Sequence, residues 1–273
     1  MQRIVVLNPK GGSGKTTVAS NLAACFAANG ERPALMDLDP QGSSMRWLRK
    51  RPDDAPPIHG IAAFERSGAV TRSWQMRVPA DCGAVIIDTP AAIDPHALPD
   101  LTRGVDAVLV PVMPSEIDIH ATAKCIADLL LVAKIRRSQR RIGIIANRVR
   151  GNTRVAQSLT RFLTSLDIPL VTTLRDTQNY VRSAEIGLGV YEMPQWQVQQ
   201  DLPQWQEILS WLAERRPGQS APAEAKSLAA IEPRASEPER LPVASVGREA
   251  APAPAALPPS MAVAEFIGAA ASD

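Results

Sequence analysis

Six short apolar runs, at 3–7, 33–38, 84–88, 106–112, 142–147 and 168–172, recur along the chain with helix-period stretches between them. Several are rich in Val and Ile and bounded by turn residues, as strands buried on both faces are. Strand–helix alternation at this spacing predicts an α/β fold: a doubly wound, mostly parallel sheet with helices on both faces. Residues 18–28 and 116–137 read as helices, the second with Glu116 and Asp118 near its start and Lys134, Arg136 and Arg137 near its end, which complements the helix dipole. A further amphipathic helix over about 203–215 presents Trp205, Ile208, Leu209 and Leu212 to the core. After Arg216 the periodicity stops, and nine prolines punctuate an Ala/Ser/Glu-rich stretch. The expected organisation is a folded domain over 1–216 and a disordered tail over 217–273.

Composition adds limits. A chain of 273 residues, 45% apolar, buries one substantial core, and with 4% aromatic residues that core is mainly Ala, Val, Leu and Ile. Cys25, Cys82 and Cys125 are odd in number and far apart, and His59, His96 and His120 have no ligand spacing, which argues against a disulfide framework or metal cluster. No apolar run reaches transmembrane length, and the first residues already form a core strand rather than a signal peptide. The expectation is a cytoplasmic protein with no membrane partner. The net charge of +2 is uneven: residues 217–273 hold four basic and seven acidic residues, which leaves the body at +5 and suited to a polyanionic partner.

The candidate chemistry begins between the first strand and the first helix. Residues 10–17 read Lys-Gly-Gly-Ser-Gly-Lys-Thr-Thr. A glycine-rich turn there exposes successive backbone N–H groups, and the helix N-terminus favours an anion. Gly11, Gly12 and Gly14 keep side chains clear of a phosphate chain, with Ser13 and Thr17 in the same loop. Lys15 can reach the β- and γ-phosphates, and the Thr16 hydroxyl can ligate Mg²⁺. The general P-loop pattern wants its first glycine at position 9; this chain has Pro9 there and a second lysine, Lys10, at the start of the loop.

That octapeptide resembles the deviant Walker A box of the ParA/MinD family of P-loop ATPases. The resemblance implies ATP and Mg²⁺ as cofactors and a homodimer that sandwiches two ATP molecules, Lys10 reaching the partner's nucleotide in trans and Lys15 its own in cis. Asp37-Leu38-Asp39-Pro40-Gln41-Gly42 resembles the family's second box. Carboxylates at i and i+2 of an extended segment share one side. By the resemblance Asp39 orients the attacking water and Asp37 supports the metal shell. Independently, an apolar strand ending in Asp88 has the form of a Walker B site, whose carboxylate holds Mg²⁺. Thr89-Pro90-Ala91 resembles the family's switch segment. Asn147, on the next-to-last strand, offers an amide donor and acceptor to an adenine edge, and Asn147-Arg148 matches the family's adenine motif. Asp176 occupies the place of its second base-contacting loop. Pro114-Ser115-Glu116-Ile117-Asp118 resembles another family segment, with Ser115 as a helix cap.

From 132 to 166 there are nine basic residues and no acidic one. Such a stretch suits salt-sensitive, sequence-independent DNA binding or is a solvated set of helix ends. ParA-type relatives bind nonspecific DNA as ATP dimers, and Arg150, Arg154, Arg175 and Arg182 are the candidate contacts. The function implied is a ParA-like ATPase that positions a plasmid, chromosome or protein cargo through hydrolysis stimulated by a partner or cargo-adaptor protein, and that associates with the nucleoid when ATP-bound. The alternative is a MinD-like membrane-associated ATPase, which wants a basic C-terminal amphipathic helix; residues 260–273 have no Lys or Arg. Iron-protein and amidoligase relatives would need bridging cysteines or a further substrate domain. The chain's cargo is not legible in its sequence.

Overall fold

The computed structural model describes residues 1–65, 71, 76–151, 162 and 167–217. A seven-stranded sheet carries the fold, in the order β3-β2-β4-β1-β5-β6-β7, with every pairing parallel. Its strands are β1 (Gln2–Val6), β2 (Pro33–Asp37), β3 (His59–Ala62), β4 (Ala84–Asp88), β5 (Ala107–Val112), β6 (Ile142–Val149) and β7 (Leu170–Arg175). The described α-helices are α1 (Lys15–Ala28), α2 (Ser43–Leu48), α3 (Leu98–Leu101), α4 (Glu116–Leu131), α5 (Asn179–Glu185), α6 (Gln195–Val198) and α7 (Leu202–Ala213).

Strands β2, β4, β5 and β6 are mainly apolar and buried because both sheet faces are covered. Successive residues of β1 alternate between two cores: Ile4 and Val6 join α1 and α7 on one face, while Val5 and Leu7 join α4 on the other. Trp205 of α7 is fully buried in the first core, and its indole N–H donates to the Tyr180 hydroxyl at 3.1 Å. Trp205→Ala is expected to cost about 3–5 kcal/mol, read as a lower denaturation midpoint at unchanged slope.

The doubly wound α/β expectation holds, with differences of detail. β3 was not anticipated: Ile61 is its one large apolar residue, and Gly60 sits where an added Cβ would meet Leu48 Cδ2 at 2.4 Å, so this edge strand exists by close packing on α2. The helix expected over 116–137 ends at Leu131. Lys134 takes a left-handed φ of 55° and Arg137–Gln139 forms a separate 3₁₀ turn, so the basic residues lie beyond the helix and none is in its last turn. The expected tail lies outside the described residues from position 218 onward.

Candidate functional site

The strand register gathers the site. Val6, where β1 gives way to the glycine loop, pairs with Asp88, and Asp88 pairs on its other side with Asp37. Two carboxylates therefore stand level at the carboxyl ends of adjacent strands, beside the loop. This is where an open α/β sheet puts its ligand.

Gly12 and Gly14 take φ of 78° and 90°, the left-handed region that favours glycine. Gly14 is also the N-cap of α1, and no side chain caps that helix, whose first turn has no acidic residue. Its leading N–H groups are thus left for an anion. Gly11 and Gly12 are exposed and Ser13 is buried, its hydroxyl donating to the Lys10 carbonyl at 3.2 Å. Lys15 is 7% exposed and its ammonium donates back to the same carbonyl at 3.1 Å. Burial lowers its pKa, while Asp88 and Asp39 oppose the shift.

Asp88 is fully buried, and one oxygen accepts hydrogen bonds from Thr16 Oγ1 and Ser44 Oγ, both at 2.8 Å. Its other oxygen, Oδ1, is buried with no partner. Burial is the main reason its pKa is pushed up to about 6; the two hydroxyl bonds lower it, Asp37 raises it and Lys15 lowers it. The Thr16 hydroxyl and the orphaned Asp88 oxygen, beside the exposed Gly11 and Gly12, are hard-oxygen donors that fit Mg²⁺ accompanied by phosphate oxygens and water. Among the described residues no group of three or more His, Cys, Asp or Glu is placed to hold a metal ion.

Asp37, level with Asp88 on the neighbouring strand, has both carboxylate oxygens engaged. Its two oxygens accept from the backbone N–H groups of Asp39 at 3.0 Å and Met45 at 3.1 Å, so it holds the loop and the start of α2. Asp39, half-buried, accepts from Gln41 N at 2.9 Å. Thr89 donates to the Val6 carbonyl at 2.9 Å, and Ala92 N donates to the Pro9 carbonyl at 2.7 Å. The segment after β4 is thus tied directly to the start of the glycine loop.

Asn147 and Arg148 sit in an irregularity of β6, where the register to β7 shifts between Ala146 and Val149 and Arg148 adopts φ 54°. The bulge re-aims the side chains. Asn147 turns inward, 4% exposed, and its amide donates to the Ser13 carbonyl at 2.9 Å, closing the underside of the glycine loop. A Cβ at Gly14 would come within 2.1 Å of Asn147 Nδ2. Arg148 turns outward and pairs with Asp176 at 3.2 Å, as Arg150 does at 2.6 Å, and these partners hold the Asp176 carboxyl below its usual range. Asn147, Arg148 and Asp176 thus share one end of the sheet with the loop.

Lys10 extends to Asp118 of the same chain, 2.6 Å away, where Ser115 caps α4 and its hydroxyl also contacts Asp118. No sequence motif gives Asp118 a role or points to Ser44 or Asn8. Asn8 accepts from Lys10 N at 2.9 Å and donates to the Pro111 carbonyl at 2.7 Å, anchoring the loop to β5. The signal for Ser44 was its position just after the second box.

The described basic residues of the stretch do not form one patch. β6 runs through it, and eight residues of strand span about 23 Å or more. Arg148 and Arg150 lie at its carboxyl end; Arg136, Arg137, Arg140 and Arg141 precede its amino end. Arg175 is held by the buried Asp201 and by Gln200, Arg182 is exposed on α5, and Arg154 lies outside the described residues.

Comparison with known proteins agrees with this geometry. Residues 4–190 match the CobQ/CobB/MinD/ParA nucleotide binding domain. The Maintenance of carboxysome distribution protein A of Halothiobacillus neapolitanus is 25% identical over 191 residues, covering 70% of this chain and 87% of that protein. The Chromosome-partitioning ATPase Soj of Thermus thermophilus is 30% identical over 185 residues, covering 58% and 74%. Among solved structures, the MinD cell division protein of Aquifex aeolicus aligns with TM-score 0.57 at 18% identity, over 81% of this chain and 99% of that one, and shares the fold.

Proposed function

The chain belongs to the CobQ/CobB/MinD/ParA nucleotide-binding family, whose ParA/MinD members are P-loop ATPases, and on that premise we propose that it is a ParA-like positioning ATPase. ATP·Mg²⁺ closes two copies into a dimer, the dimer binds nonspecific DNA, and a stimulating partner or cargo adaptor triggers hydrolysis and release. The observation that carries this reading is the loop with two lysines. Lys15 is buried over the glycine turn beside Asp88, while Lys10, paired with Asp118, keeps a third of its side chain in solvent.

Phosphoryl transfer to water is mostly a matter of positioning and charge stabilisation. Backbone N–H groups of residues 11–16 bind the phosphates, and Lys15 bridges the outer two. Thr16 and Asp88 would hold Mg²⁺, and Asp37 fixes the loop that carries Asp39. When bound, Mg²⁺ neutralises charge on the β- and γ-phosphates. Asp39 orients the attacking water from the loop above Asp37. Asn147, Arg148 and Asp176 border the base, and the Thr89–Ala92 segment, tied to Val6 and Pro9, follows the γ-phosphate. For DNA, Arg150 and Arg182 are the contacts with the fewest internal ties: Arg150 is 81% exposed in an ion pair, and such pairs are weak.

The names of the two relatives concern a carboxysome and a chromosome, and this chain's cargo belongs to the same class of large assemblies. The dimer is tested with Lys10→Ala. This variant is expected to bind ATP within a few-fold of the natural chain yet stay monomeric by light scattering with ATP·Mg²⁺. A Lys10→Ala dimer as stable as the unsubstituted one would overturn the trans role.

A further inference from the structure

The four arginines at the amino end of β6 do not belong to the nucleotide site. With Arg215 they line a cavity of about 650 Å³ whose other walls include Ile142, Ile168, Pro169, Leu170 and Trp211. Arg136, Arg137, Arg140 and Arg141 make no side-chain hydrogen bond or ion pair among the described residues. Arg215 is fixed: its guanidinium lies 3.7 Å from the Trp211 ring centroid and donates to the Arg140 carbonyl at 2.7 Å. The two acids on the wall do not balance this charge, because Glu214 is already paired with Arg215 at 3.2 Å, which leaves Asp167 alone.

Helix dipoles do not account for the cluster. Their field falls off within the last turn, and neither α4 nor α7 carries a basic residue there. Uncompensated guanidinium groups around one concavity repel one another unless an anion joins them. The Trp211 indole N–H is in addition buried without a partner, and the ring edge is pressed onto Gly143, where an added Cβ would lie 2.8 Å from Cζ2.

We propose that this cavity is a second anion site, separate from the glycine loop, which takes the polyphosphate chain of a small molecule. Guanidinium forks match phosphate oxygens in pairs, and a compact chain of three phosphates supplies the three or four negative charges that the four free arginines call for. The volume falls within the range of about 300–1,000 Å³ typical of small-molecule sites. Arg136, Arg137 and Arg140 are exposed, so duplex DNA, which spreads one charge per roughly 1.7 Å along an extended axis, is the competing ligand. Two sources share the chemistry, inorganic polyphosphate and a nucleoside triphosphate whose base would use the apolar wall.

The test is calorimetric titration of inorganic tripolyphosphate, and separately of ATP, into full-length Lys15→Ala without Mg²⁺ at 150 mM salt. One saturable site per chain is expected, weakened at least tenfold by Arg137→Gln with Arg141→Gln and unchanged by Arg103→Gln, which alters an exposed arginine elsewhere. Tighter ATP than tripolyphosphate assigns the source to a nucleotide, and equal affinity to the phosphate chain alone. If Lys15→Ala fails to fold, the unsubstituted chain must show two phosphate-binding events, with the Arg137/Arg141 substitutions removing only one. No saturable binding, affinity indifferent to those substitutions, or full displacement by duplex DNA would each overturn the proposal.

Discussion

Lys15→Ala is expected to bind ATP at least 100-fold more weakly than the unsubstituted chain while keeping its far-ultraviolet circular dichroism. The first part follows from charge-assisted hydrogen bonds between one ammonium and two phosphates, at about 1.5–3 kcal/mol each, with each 1.4 kcal/mol worth tenfold in Kd. The second follows from burial. The Lys15 ammonium is desolvated and makes one bond, to the Lys10 carbonyl at 3.1 Å, so the nucleotide-free fold loses little when it goes. Equilibrium binding of a fluorescent ATP analogue, set beside the spectrum, separates loss of the site from loss of the fold. Unchanged affinity would remove Lys15 from the phosphate site.

Asp39→Ala is expected to show the opposite pattern: ATP binding retained, hydrolysis lowered by about two orders of magnitude or more, and a dimer that persists with ATP·Mg²⁺. A side chain that positions or deprotonates an attacking water typically contributes 10²–10⁴-fold in rate. Asp39 suits that part by its placement. Its backbone is held by Asp37, its carboxylate accepts only from Gln41 N, and it stays half-buried at the loop surface, whereas Asp37 and Asp88 are fully buried. Phosphate-release kinetics and light scattering on the same sample give both readouts. A fully monomeric Asp39→Ala with ATP·Mg²⁺ would undo the assignment.

Much of this architecture was legible because the informative residues are local. A strand, a glycine loop and a helix follow one another over residues 2–28, so Lys10 to Thr17 could be placed from sequence alone, and Asp88 needed only the apolar run before it. What escaped depends on contacts between distant segments. β3 rests on Gly60 fitting under Leu48, a packing fact with no periodic signature. The end of α4 is set by Lys134 taking a left-handed conformation, and nothing in its composition demands it. The β6 bulge turns Asn147 under the loop and Arg148 away from it, where a regular strand would not have done so. Ser44 reaches Asp88 only because β2 and β4 are neighbours. The same limit applies to charge: basic residues close in sequence lie at opposite ends of β6, Arg148 and Arg150 at one and Arg136, Arg137, Arg140 and Arg141 at the other.

Under the proposed function, ATP switches this chain onto DNA. The most direct test is binding of the purified full-length protein to nonspecific duplex DNA with ATP·Mg²⁺, with ADP·Mg²⁺ and with no nucleotide, each across a salt series. Binding is expected in the ATP state alone, with an affinity that falls steeply as salt rises because basic side chains displace counterions. Equal binding in all three states, or none in any, would contradict the proposed function.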